Sequence, residues 1–61
     1  MKWQQHNTES YYLVSEENDY LGTIQFVFAA WVTYFWSESW YYLRTFNDLS
    51  EAKLYLEEGL S

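Results

Sequence analysis

The chain has 61 residues, a formal net charge of −6 at pH 7, and neither cysteine nor proline. That length holds one domain. Without cysteine there is no disulfide stapling and no thiolate-ligated zinc, and three scattered bases (Lys2, Arg44 and Lys53) lack the clustering that direct nucleic-acid binding requires.

Residues 1–10, MKWQQHNTES, are polar and read as an N-terminal arm outside a single domain spanning 11–61. They lack the apolar stretch of a secretory signal, so the cytoplasm is the expected compartment. Only Trp3 gives the arm a means of plugging an apolar surface. Tyr11–Ser15 is a short β-type run of aromatic and branched residues. Glu16-Glu17-Asn18-Asp19 is a charged, turn-forming break.

Tyr20–Phe28 follows, where Ile24, Phe26 and Phe28 alternate with Gln25 and Val27, the period of a strand. No Gly, Asn or Asp marks a turn at Ala29-Ala30. A strand continuing to Trp36 would far exceed the usual five or six residues, so a bend is expected near Phe28–Ala30. Residues 20–37 carry no charge, and eighteen such residues reach the lower limit for a spanning helix, about 17–25. The alternative reading is therefore a membrane-associated segment over 20–36. Gly22, Thr23, Gln25 and Thr33 dilute it, and its aromatics run throughout instead of gathering at two interfaces. Strands are the better reading.

Trp31–Trp36 is the next strand, Ser37-Glu38-Ser39 closes a hairpin, and Trp40–Thr45 is the last strand. Asp48 and Glu51 then form a capping box, each side chain accepting from the other's amide. Leu49, Ala52, Tyr55 and Leu56 fall on one face at helical spacing. Gly59 is placed to take a left-handed conformation that stops the helix.

These pieces predict an α+β domain, a four-stranded antiparallel meander with one C-terminal helix packed on one face. If the polar strand residues Gln25, Thr33 and Arg44 point away from the helix, then Leu13, Ile24, Phe26, Val32, Tyr34, Tyr41 and Leu43 face it. The opposite face then carries Tyr12, Val14, Val27, Trp31, Phe35, Trp40 and Tyr42 beside Arg44. A solvated sheet face normally turns polar, and this one does not.

Eleven of the chain's fifteen aromatic residues lie between Tyr20 and Phe46. A domain this small shields only about 60% of its unfolded surface, so some rings meet another molecule. Val27, Trp31, Phe35, Trp40, Tyr42, Arg44 and Tyr12 are the candidate protein-binding residues. Trp, Tyr and Arg are the types enriched at interfaces.

Catalytic chemistry has no foothold. His6 is the sole histidine and has no second ligand for a metal site. The serines lack a nucleophile context, and no glycine-rich loop is present for phosphate. The Glu16-Glu17 and Glu57-Glu58 pairs are adjacent acids of a solvated turn and helix end, not carboxylates facing across a cleft. No catalytic residue, metal or cofactor is expected.

Gly22-Thr23-Ile24, Trp31 and the tail Phe46-Asn47-Asp48-Leu49-Ser50-Glu51-Ala52-Lys53, ending Leu56-Glu57-Glu58-Gly59, resemble short bacteriophage and prophage proteins in which a few strands precede such a helix. The resemblance covers about two thirds of the chain and rests on short motifs. It implies a small acidic protein that binds and modulates host machinery. Together with the aromatic face, it yields the expected function: a non-enzymatic interaction module. Its expected partners are itself, as a homodimer through that face, and a host protein with a basic surface.

Overall fold

In the computed structural model, which describes residues 1–60, the aromatic and β-branched runs pair as one antiparallel sheet and the capped tail folds as one helix. The elements are β1 (Lys2–Asn7), β2 (Ser10–Val14), β3 (Tyr20–Val27), β4 (Ala30–Trp36), β5 (Trp40–Phe46) and α1 (Leu49–Leu60). The strands are ordered β1-β2-β3-β4-β5. The class is α+β, with five strands where the sequence led us to expect four.

The extra strand is the expected arm. Lys2 to Gln5 pair with Val14 to Tyr11, so the polar N-terminus forms an edge of the sheet. An edge strand makes all its ladder bonds to one neighbour and leaves its other backbone groups to water, a place that polar residues suit, which is why KWQQHN gave no strand signal. Trp3 anchors it on the helix side, where its indole N–H donates to Glu57 Oε2 at 2.7 Å. Lys53 Nζ lies 5.5 Å from the Trp3 ring and 4.7 Å from the Tyr11 ring. Trp3 therefore supports the core and does not plug the opposite face.

Leu13, Ile24, Ala52 and Leu56 form the buried centre, with Trp3, Tyr11, Leu21, Trp31, Leu43, Phe46, Leu49 and Leu60 packed around it. A β-carbon on Gly22 would come within 3.0 Å of both Leu60 Cδ1 and the Tyr34 carbonyl oxygen. The missing side chain there lets the helix sit down on β3. Asp48 caps α1 through its Oδ1, which accepts from the amide of Ser50 at 3.0 Å instead of that of Glu51. The helix runs through Gly59 to Leu60, and no glycine has positive φ, so Gly59 is not the expected left-handed stop.

Beside a bulge at Leu21 in β3, where Leu13 pairs with Gly22 but Val14 pairs with Tyr20, two further irregularities set which side chains face the helix. The β3–β4 turn is only two residues long: Val27 pairs with Ala30, and Phe28 and Ala29 between them have φ of 51° and 61°. Positive φ at both central residues is the twist-matched hairpin turn that normally uses Asn-Gly. Phe and Ala in that region cost about 1–3 kcal/mol each. The second irregularity is a bulge in β5, where Thr33 pairs with Arg44 but Tyr34 pairs with Tyr42.

The short turn places Trp31 opposite Phe26, and hence Trp31, Thr33 and Phe35 on the helix side with Val32 and Tyr34 on the other. This reverses the β4 assignment made from polarity alone. Thr33 is fully buried because its hydroxyl donates to the Arg44 carbonyl at 2.7 Å and accepts from the Arg44 amide at 3.1 Å. Once a hydroxyl is satisfied within the bulge, its burial costs little. After the bulge, Arg44 also lies on the helix side, its guanidinium 5.4 Å from the Phe46 ring. Residues 20–36, weighed as one apolar segment, form two strands. No helix among the described residues is long and apolar enough to cross a membrane.

Candidate functional site

The candidate residues divide between the two sides of the sheet. Trp31 packs against the core, 5.9 Å from the Tyr11 ring and 4.6 Å from the Phe26 ring. Phe35 stacks on Tyr41 at 5.2 Å and borders the helix-side groove, and Arg44 lies over Phe46. These three do not share a face with Tyr12, Val27, Trp40 and Tyr42, which remain together on the side opposite the helix. Val14 is buried outside the helix-side core.

The open face gains rings that polarity did not assign to it. Tyr20, Tyr34 and Trp36 join Tyr12, Trp40 and Tyr42. The Tyr12 ring lies 5.1 Å from Tyr20 and 6.1 Å from Trp40, and Tyr20 is 6.3 Å from Trp40. Trp36 meets Trp40 at 5.1 Å, Tyr34 meets Tyr42 at 6.2 Å, and His6 meets Tyr12 at 4.2 Å. Tyr12 and Trp40 stand on strands three spacings apart, about 14 Å across a flat sheet. The two rings nonetheless meet at 6.1 Å, so they lean toward each other across β3 and β4. Beneath them is a basin of about 280 Å³ lined by Tyr12, Thr23, Gln25, Tyr34 and Trp40.

The basin floor is polar and already satisfied. Ser10 Oγ donates to Gln25 Oε1, Gln25 Nε2 donates to Thr23 Oγ1, and Thr23 Oγ1 donates to the Tyr11 carbonyl, all at 2.7–2.8 Å. These groups brace the sheet, and the rings above are what the face offers to contact. Tyr12, Tyr20 and Trp40 are packed against one another too closely to enclose a cation among them, so a cation would meet their outer faces. Tyr20, Trp36, Trp40 and Tyr42 are 44%, 45%, 37% and 60% exposed.

Antiparallel order sends alternate loops to the same end. The β2–β3 loop, with Glu16, Glu17 and Asp19, therefore lies at the end of the sheet that also carries the β4–β5 turn with Glu38. Tyr20, Trp36 and Trp40 are the strand residues bordering those loops. Ser15 Oγ and its carbonyl hold the first loop through the amides of Asp19 and Asn18, and Ser39 holds the second through the Ser37 amide. The N-terminal ammonium lies 3.2 Å from Glu16, whose side chain remains 89% exposed, a pairing of little energetic weight. The exposed rings thus stand at the end of the sheet that carries these four carboxylates. Among the described residues, no group of three or more His, Asp or Glu could hold a metal ion.

No protein-family model matches the chain, and no curated protein or solved structure matches it.

Tyr20, Tyr34 and Trp36 were missed for one reason. Their side follows from register, that of Tyr20 from the bulge at Leu21 and those of Tyr34 and Trp36 from the β3–β4 turn length and the pairing across residues 37–39, not from the polarity of neighbouring residues. Trp36 and Trp40 flank Ser37-Glu38-Ser39 symmetrically, and that spacing was the available signal for placing both on one side.

Proposed function

We propose that this chain is a non-enzymatic interaction module whose open sheet face docks a protein bearing a Lys- or Arg-rich surface. The observation that carries the reading is the exposed cluster Tyr20, Trp36 and Trp40 at the end of the sheet that carries Glu16, Glu17, Asp19 and Glu38. Ring faces attract cations, by about 0.5–1 kcal/mol at exposed sites. The flanking carboxylates steer and orient a positive partner. The same charges repel nucleic-acid backbones and anionic lipid, so a protein is the fitting occupant. They also oppose a second copy on this face, since each copy carries −6. The resemblance of Gly22-Thr23-Ile24, Trp31 and the tail to short bacteriophage proteins supports a host protein as that partner.

The test is capture from an extract of the organism in which the protein acts, using the wild type, a Trp36→Ser plus Trp40→Ser variant, and a Glu16→Gln, Glu17→Gln, Glu38→Gln variant. The reading expects one captured protein with a basic contact surface, lost by both variants and weakened by added salt. A partner retained equally by both variants would contradict it.

A further inference from the structure

Two local choices in this chain are unfavourable for the isolated fold. Phe28 is 100% exposed at the apex of the β3–β4 hairpin, on a backbone with positive φ at both Phe28 and Ala29. Asn-Gly there would relieve the backbone and remove a phenyl ring from water. Phe26 and Val27 beside it are 36% and 40% exposed, so the tip presents three consecutive apolar residues. The second choice is Gly59. It sits inside α1 without positive φ, and a β-carbon on it would meet nothing within 4 Å. Neither turn geometry nor crowding requires glycine, which weakens the helix relative to alanine.

Gly59 borders a half-open apolar groove of about 310 Å³, lined also by Phe35, Leu43, Tyr55, Leu56 and Leu60. A cavity of about 150 Å³ is enough to hold benzene. We propose that two copies of this chain dock by mutual insertion, the Phe28 ring of each entering the groove beside Gly59 of the other. The tip lies at the end of the sheet where α1 begins, and the groove lies toward the last turn of α1. Phe28 and Phe35 are seven residues apart on one strand path, about 23 Å. Two copies laid antiparallel therefore satisfy both contacts at once, in a closed two-fold pair. The exposed phenyl and the missing side chain at Gly59 then become the two halves of one contact. The pairing leaves the aromatic face opposite the helix open and does not depend on the function proposed above.

Sedimentation velocity over a wide concentration range tests this. The wild type should pass from monomer to dimer, and added salt should strengthen the dimer by screening two chains of −6. Salt thus acts here in the opposite sense to binding of a basic partner, which separates failure of one proposal from failure of the other. Phe28→Asn with Ala29→Gly should raise the dissociation constant at least about tenfold while raising Tm by about 5 °C or more. Gly59→Leu should fill the groove, remain folded, and also be monomeric. A wild type monomeric at every concentration would overturn the proposal, as would variants that dimerise like the wild type. Binding of zwitterionic vesicles lost with Phe28 in a chain that does not self-associate would also overturn it, by assigning the tip to lipid.

Discussion

The two glycines should respond to alanine in opposite directions. At Gly22, the new β-carbon would sit 3.0 Å from Leu60 Cδ1, 3.0 Å from the Tyr34 carbonyl oxygen and 3.5 Å from Leu56 Cδ1. Leu60 can turn aside at the helix end, but the Tyr34 oxygen belongs to β4, which is paired with β3 along its length. The strands or the helix have to give by a few tenths of an ångström. Overpacking of this kind costs about 1–3 kcal/mol, offset by the roughly 0.5–1 kcal/mol that alanine gains over glycine. The expected net loss is about 1 kcal/mol. At Gly59 nothing opposes the β-carbon, and the same gain stands alone. Thermal unfolding followed by circular dichroism, at concentrations low enough to keep the protein monomeric, reads both. At roughly 4–8 °C per kcal/mol for a domain of this size, Gly22→Ala should melt about 5 °C below the wild type and Gly59→Ala a few degrees above it. Shifts of the same sign in the two variants would refute the packing described for α1 on β3.

Other substitutions probe the remaining contacts. Thr33→Val should destabilise by about 1–3 kcal/mol in urea titration, because it leaves the Arg44 amide and carbonyl without their hydroxyl partner, whereas Thr33→Ser should retain most of the stability. Trp31→Glu with Phe35→Glu should unfold the chain, since both residues lie on the helix side and total stability for 61 residues is only about 3–9 kcal/mol. Trp36→Ser with Trp40→Ser should leave the far-ultraviolet spectrum and cooperative melting intact. Trp3→Ala should cost about 2 kcal/mol, through lost packing and the lost bond to Glu57, and hydrogen exchange should then show β1 opening ahead of the rest.

Much of the fold was legible because its signals are local. The alternation in β3, the polar breaks at 16–19 and 37–39, and Asp48 before an amphipathic run each act over a few residues, and each marks a real boundary. What escaped the sequence is set by pairing. β1 is a strand because β2 offers it an edge, not because KWQQHN favours one. The side taken by Trp31, Phe35 and Arg44 depends on a two-residue turn at Phe28-Ala29 and a bulge at Leu43. Phe-Ala breaks ordinary turn chemistry, so nothing in the residue types fixed the turn length. The observed turn falls within the bend expected near Phe28–Ala30, but Thr33 looked solvent-facing on its polarity alone, although its hydroxyl is spent within the bulge. Of the candidate face, Tyr12, Val27, Trp40 and Tyr42 were recognisable, while Tyr20, Tyr34 and Trp36 required the register.

The exposed rings beside the acidic loops are the proposed contact surface for positive charge. The four tryptophan indole N–H signals in a nitrogen–proton correlation spectrum report on it residue by residue during titration with an arginine-rich peptide at low salt. The account predicts saturable shifts of Trp36 and Trp40, reversed by added salt, with Trp31 and the Glu57-bonded Trp3 unmoved. Shifts confined to Trp3 and Trp31, or no shift at any of the four, would contradict it.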